Sequence, residues 1–153
     1  MIRNETEYQE ALRRLAQDRE VAARQRSALE AEGLTPEEVA RGMAPLLSFQ
    51  AQLAEEVDWY ERVRRREFPV LTRLTQIGRL LIALRIAQGL TQRELAERLG
   101  ISESLVSRDE RNEYHGITVE RAQRIMDALG ETVTARVEEP ACRSGEREPA
   151  SVG

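Results

Sequence analysis

The segment from residue 91 to residue 110, TQRELAERLGISESLVSRDE, constrains the fold of this chain more than any other part of the sequence. Thr91, followed three residues later by Glu94, forms a capping-box pattern that predicts the start of a helix. Gly100 suits the left-handed position that ends a helix, and Ser102 can cap the next one. The segment therefore predicts two short helices joined by a tight turn.

The side chains of these two helices also fit a helix-turn-helix, in which the second helix is presented to DNA. Ala96 is small enough for the two helices to cross closely. The apolar residues that would hold the second helix from behind are Leu95, Leu99, Ile101 and Val106. The outer face of that helix would carry the side chains able to reach base edges: Glu103, Ser104, Ser107 and Arg108.

Arg108 is the candidate base reader, because its guanidinium fork can bond O6 and N7 of a guanine together. A phosphate contact or a surface salt bridge remains open for the same side chain. Gln92 begins the preceding helix, where backbone N–H groups and an amide can hold a phosphate. The alternative without DNA is a helical core in which the pair has no nucleic-acid partner.

Residues from about 80 to 130 resemble the helix-turn-helix of the phage-repressor-like (Cro/XRE) transcriptional regulators, above all in LIALRIAQGLTQRELAERLGISESLVSRDE. The resemblance implies a lambda-repressor-like fold with its recognition helix over 102–110. It also implies a homodimer bound to an inverted repeat in double-stranded DNA, and a structural ion pair between Arg85 and Glu110. The residues expected to contact DNA are Gln92, Ser102, Glu103, Ser104, Ser107, Arg108, Arg111 and Asn112.

Three features depart from the family pattern. Asp109 stands where the family usually has an apolar or aromatic residue, and Leu105 stands where a small polar residue is usual. The usual fifth helix is replaced by residues 132–137, whose alternating apolar and polar side chains predict a short strand that could pair with another chain. The helix over 102–112 also carries three acidic residues against two arginines, a net charge of −1, so phosphate repulsion should weaken binding, although Glu103 can accept from cytosine.

Residues 1–67 predict a helical hairpin or coiled coil. Positions at alternating steps of four and three from Tyr8 to Leu29 are mostly apolar and indicate a helix over 5–31, although Arg19 and Arg26 weaken this seam. Thr35 and Glu38 form a second capping box, and Pro45 is expected to interrupt the helix that follows. The apolar stripes need a partner: each other, a second subunit, or another protein such as a toxin. In the last case the chain is a protein-interaction module or antitoxin.

The whole chain is therefore expected to be all-α, with one short C-terminal strand. The cluster Arg64-Arg65-Arg66 ends the hairpin of residues 1–67, either as a solvated helix end or as an arm that touches the DNA backbone. A helix-turn-helix DNA-binding domain follows over residues 68–137. Proline, glycine, serine and glutamate dominate residues 138–153, which predicts a disordered tail.

Composition argues against several other classes of protein. The net charge of −4 does not suggest a non-specific nucleic-acid binder. Cys142 is the single cysteine, and His115 has no partner at metal-ligand spacing, so we expect no metal site. We see no nucleophile–base arrangement and no phosphate-binding glycine loop, and therefore expect no enzyme activity and no cofactor. Without a signal or membrane segment, a cytoplasmic location is expected.

Overall fold

The computed structural model describes residues 1–137, which form six α-helices and one short 3-10 turn. The helices are α1 (Glu5–Ala31), α2 (Pro36–Arg64), α3 (Ile77–Ala87), α4 (Gln92–Leu99), α5 (Glu103–Arg111) and α6 (Val119–Leu129), and the 3-10 turn Leu74–Gln76 precedes α3. The predicted all-α fold class is confirmed. The predicted disordered tail, 138–153, lies outside the described residues. Within 1–137, no helix has both the length and the apolar character needed to cross a bilayer.

Helices α1 and α2 pack antiparallel as a hairpin. Tyr8, near the start of α1, donates its hydroxyl to Glu61, near the end of α2, at 2.7 Å. Arg64 reaches back to Glu5 at 3.0 Å, and the rings of Tyr8 and Tyr60 stack with their centroids 5.0 Å apart. The two apolar stripes therefore cover each other, which is one of the arrangements that the sequence left open.

Helix α2 runs through Pro45, so the expected interruption at this residue is wrong. A proline inside a helix leaves the carbonyl four residues earlier without its donor. That carbonyl belongs to Arg41, and both residues are exposed, so water can bond the orphaned oxygen. Val39 and Met43 are buried on the opposite side against α1, and this packing holds the helix together across the proline.

One hydrophobic core joins the hairpin to the smaller helices. Val63 of α2 and Ile82 of α3 are fully buried in the same cluster. Ile2, which precedes α1, is 4% exposed and belongs to this cluster too. Each fully buried aliphatic side chain contributes about 1.5–3 kcal/mol to folding. The expected boundary at residue 67 lies three residues after the end of α2 at Arg64, and the buried contacts continue across it.

A close approach between α3 and the turn after α5 fixes the end of α5. A Cβ atom at Gly78 would lie 1.9 Å from the carbonyl oxygen of Glu113, so glycine is the residue that fits there. Glu113 and Tyr114 take left-handed backbone conformations, with φ of 50° and 52°. Tyr114 is thereby directed into the core, where it is 5% exposed.

The predicted strand over 132–137 is absent from the described chain. Helix α6 ends at Gly130, whose φ is 67°, and residues 131–137 are irregular. A strand requires the backbone of a neighbour, and no part of residues 1–137 supplies one. Val133 and Val137 of the alternating pattern are instead 41% and 97% exposed. The alternation of apolar and polar side chains was therefore not sufficient to form a strand in this segment.

Candidate nucleic-acid interface

The turn between α4 and α5 is built by the residues that the sequence singles out. The hydroxyl of Thr91 accepts from the backbone N–H of Glu94 at 3.1 Å, and the Glu94 carboxylate accepts from the Thr91 N–H at 2.7 Å. Gly100 adopts φ 66°, and the N–H of Ile101 returns to the carbonyl of Ala96 at 3.0 Å. The left-handed Gly100 and this hydrogen bond together end α4 and set the direction in which α5 begins.

The inner faces of α4 and α5 are buried. Leu95 and Ala96 of α4 are 0% and 2% exposed, and Val106 of α5 is 1% exposed. Leu99 and Ile101 pack against the same core while partly exposed. This buried contact fixes the position of α5 relative to α4, because closely packed side chains leave little room for sliding.

The outer face of α5 is polar and open to solvent. Six of the eight residues predicted to contact DNA are exposed: Ser102, Glu103, Ser104, Arg108, Arg111 and Asn112. Ser107 and Gln92 are half-buried. The Ser102 hydroxyl caps α5 by accepting from the N–H of Leu105 at 3.3 Å, and it lies 3.1 Å from the Ser104 hydroxyl. The six exposed side chains therefore form one continuous surface along and beside α5.

Two arginines of this surface carry uncompensated charge. Among the described residues, neither Arg108 nor Arg111 has a salt-bridge partner, whereas Arg93 on α4 pairs with Glu97 at 3.1 Å. The net charge of α5 is −1, but Asp109 and Glu110 are paired with arginines of other helices. A phosphate backbone approaching this face therefore meets its free positive charge at Arg108 and Arg111.

The buried carboxylate of Glu110 ties three helices together. Its two oxygens accept from Nε and Nη2 of Arg85 at 2.5 and 2.7 Å, and Nε2 of Gln92 donates to it at 2.7 Å. Arg85 also donates to the carbonyl of Leu90 at 2.7 Å and to that of Arg3 at 3.0 Å. The ion pair that the resemblance implied is thus in place, and it connects α3, α4 and α5 with the N-terminal segment.

This network also determines what Gln92 can offer to DNA. One N–H of its amide nitrogen is donated to Glu110, so the second N–H of that nitrogen is the donor left for the predicted phosphate contact. The first backbone N–H groups of α4 have no partner within the helix, and the helix dipole favours an anion at this end. Gln92 therefore links the possible phosphate position to the buried end of α5.

Asp109, an acidic residue where the family usually has an apolar one, has a partner that the sequence analysis missed. Its carboxylate forms an ion pair with Arg121 of α6, and the Asp109 side chain is only 14% exposed. A charged residue at an inward position signals a partner of opposite charge, but its position in the sequence does not say which of several arginines provides it. Leu105, the second residue that differs from the family pattern, lies half-buried near this pair.

Tyr114 lies behind the end of α5, and its ionisation is suppressed. Burial raises the pKa of its phenol far above the ordinary value, and the carboxylate of Glu110 adds to this shift. The neutral ring therefore serves as a core residue. Within residues 1–137, no cluster of histidine, cysteine, aspartate and glutamate has the geometry to hold a metal ion.

Comparison with known protein families identifies this part of the chain. Residues 81–135 match the family model described as Helix-turn-helix. The segment is thus a DNA-binding helix-turn-helix domain. More particularly, it is of the Cro/XRE type, which confirms the family expected from the sequence for these residues. Searches of the curated proteins and of the solved structures returned no match.

Proposed function

We propose that this protein is a cytoplasmic transcriptional repressor that reads a specific DNA sequence with α5. The observation that carries the proposal is the exposed polar face of α5, where Arg108 and Arg111 have no salt-bridge partner among residues 1–137 and the opposite face is buried against α4. In this proposal α5 enters the major groove, where each base pair shows a distinct pattern of donors and acceptors.

The residues along α5 divide into two groups by position. Ser102, Glu103 and Ser104 lie at the start of α5, and in helix-turn-helix proteins the first residues of the recognition helix meet the base edges. Arg111 and Asn112 lie at its end, where contacts go to the phosphate backbone. Arg108 lies between the groups, and we assign it to a guanine.

The test compares Arg108→Ala with Arg41→Ala, a matched loss of an exposed arginine on α2, far along the chain from α5. Duplexes are titrated with unrelated competitor DNA at two salt concentrations, because salt separates phosphate contacts from base contacts. Arg108→Ala is expected to lose about 1–3 kcal/mol on the cognate site and much less on random DNA. Arg41→Ala should bind as the unchanged protein does. Equal losses on both DNAs would refute the assignment of Arg108 to a base.

The same proposal includes a homodimer whose two α5 helices lie in successive major grooves. Its operator would be an inverted repeat with half-site centres about 10 bp apart. Support comes from apolar side chains exposed on the hairpin: Phe49 is 70%, Val21 45% and Leu47 39% exposed. A dimer contact on this part of the hairpin would bury the large aromatic ring of Phe49, which is otherwise in solvent.

A second candidate function uses the same side chains to bind a different protein, such as a toxin. Phe49→Glu distinguishes the two candidates when molar mass is measured by light scattering at concentrations where DNA binds. A dimer that becomes a monomer, with weaker operator binding, supports the homodimer. A chain that is monomeric both with and without the substitution favours the protein-partner function.

A further inference from the structure

A cavity lies directly behind α5, between α4, α5 and α6. Its volume is about 230 Å³, and its walls are mainly apolar, with Leu99, Leu105 and Ile125 among them. Apolar cavities of about 150 Å³ are large enough to bind benzene in proteins. The space therefore suits a single ring that bears one small substituent.

The rim of this cavity has an unequal charge. Arg121 and Arg124 from α6 line it together with one carboxylate, that of Asp109. Arg121 is already paired with Asp109, whereas the exposed Arg124 has no salt-bridge partner among residues 1–137. The excess of one positive charge at an apolar opening is complementary to a small apolar anion.

We propose that this cavity binds a small organic acid of about the size of benzoate. The ring would lie between Leu105 and Ile125, and the carboxylate would lie at Arg124 and Arg121. A guanidinium binds a carboxylate well because its planar fork matches the two oxygens. The apolar walls would then supply affinity, while the arginines would supply preference for the anion.

The site touches the inner surface of the recognition helix, so the acid would also act on DNA binding. Leu105, Val106 and Asp109 all belong to α5 and line the cavity. A ligand carboxylate competes with Asp109 for Arg121, and this ion pair joins α5 to α6. Loss of that connection would allow α5 to shift, and operator affinity would fall. This last consequence rests on the proposed function, whereas binding of the acid does not.

The experiment titrates the full chain, without DNA, with benzoate, benzyl alcohol and benzylammonium, and follows backbone amide signals by NMR at constant ionic strength. Benzoate is expected to bind with a dissociation constant on the order of 1 mM, as is usual for a ligand of so few atoms. Signals from Leu99, Leu105 and Ile125 should shift with a common saturation curve. The neutral and cationic analogues should bind more weakly.

Two substitutions at the rim should change benzoate binding in opposite directions. Arg124→Gln removes the cation that has no salt-bridge partner within residues 1–137 and should weaken binding about threefold to fivefold. Asp109→Asn removes the competing carboxylate and should strengthen it by a similar factor, while it lowers any affinity for benzylammonium. A cavity that binds rings without regard to charge would respond to neither change.

Several results would overturn this inference. They are no saturable shift of the cavity signals, binding of benzylammonium at least as tight as that of benzoate, or identical benzoate affinity in all three forms of the protein. Since these measurements contain no DNA, their failure leaves the proposed DNA recognition unaffected. Conversely, benzoate binding by a protein that reads no DNA would disprove only the proposed function.

Discussion

The network around Glu110 yields a quantitative prediction about stability. Arg85→Met and Glu110→Leu each remove one partner of an ion pair whose side chains are 3% and 0% exposed. The remaining charge would then be buried without compensation, which costs about 3–5 kcal/mol. The double substitution removes both charges and should cost about as much as one of the singles, rather than their sum of roughly 6–10 kcal/mol.

The groups left behind set a lower limit on the cost of the double variant. The carbonyl oxygens of Leu90 and Arg3 lose a donor, and the amide of Gln92 loses its acceptor. A polar group left unsatisfied inside a protein costs about 1–3 kcal/mol, so the double variant should remain less stable than the unchanged protein. The double-mutant cycle is therefore expected to show a large coupling energy between Arg85 and Glu110. The stability of the double variant should still lie below that of the unchanged protein.

The cycle is measured by unfolding the unchanged protein, the two single variants and the double variant in urea. Circular dichroism monitors the transition and gives the free energy of unfolding of each protein. The control is the exposed pair Arg93 and Glu97, whose side chains are 74% and 65% exposed. Arg93→Met and Glu97→Leu should couple by only about 0.3–0.5 kcal/mol. If a single substitution at the buried pair prevents folding, Glu110→Gln keeps the shape and provides a milder variant. Additive losses at Arg85 and Glu110 would refute the argument that they act as one buried unit.

Two further substitutions test how the ends of the helices are fixed. Gly78→Ala should destabilise the fold by about 1–3 kcal/mol in urea unfolding, because its Cβ would collide with the Glu113 carbonyl; an unchanged midpoint would contradict this close approach. The backbone N–H and hydroxyl of Thr91 lower the pKa of Glu94. The ionised carboxylate therefore stabilises the fold at pH values above the ordinary pKa of glutamate. This stabilisation is lost as the pH falls through the lowered pKa. Glu94→Gln should therefore lose less stability between neutral and acidic pH than the unchanged protein, and parallel pH profiles would argue against the capping role.

Local signals in the sequence predicted the helix-turn-helix well. Capping residues such as Thr91 and Ser102, and the left-handed Gly100, act within a few residues of themselves and therefore can be read directly from the sequence. The apolar positions of α4 and α5 follow the helical period, so their burial could also be inferred. The other positions of α5 could therefore be predicted to form its exposed face.

Features that depend on distant residues could not be predicted in the same way. The choice of Arg121 as the partner of Asp109 depends on how α6 packs on α5. The bond from the Gln92 amide to Glu110 depends on how α4 packs on α5. Local signals were misleading at two places. At Pro45 the sequence predicted a break, but packing of α2 maintains the helix. Over 132–137 it predicted a strand, but residues 1–137 provide no neighbouring strand to pair with.

The central claim is that α5 reads a DNA sequence as one half of a symmetric pair. The most direct measurement is selection of bound duplexes from a random-sequence library by the full-length protein, followed by sequencing. We expect enrichment of an inverted repeat with half-site centres about 10 bp apart, and loss of preference at one base pair of each half-site for Arg108→Ala. A folded protein that enriches no sequence, or an enriched site that Arg108→Ala leaves unchanged, would contradict it.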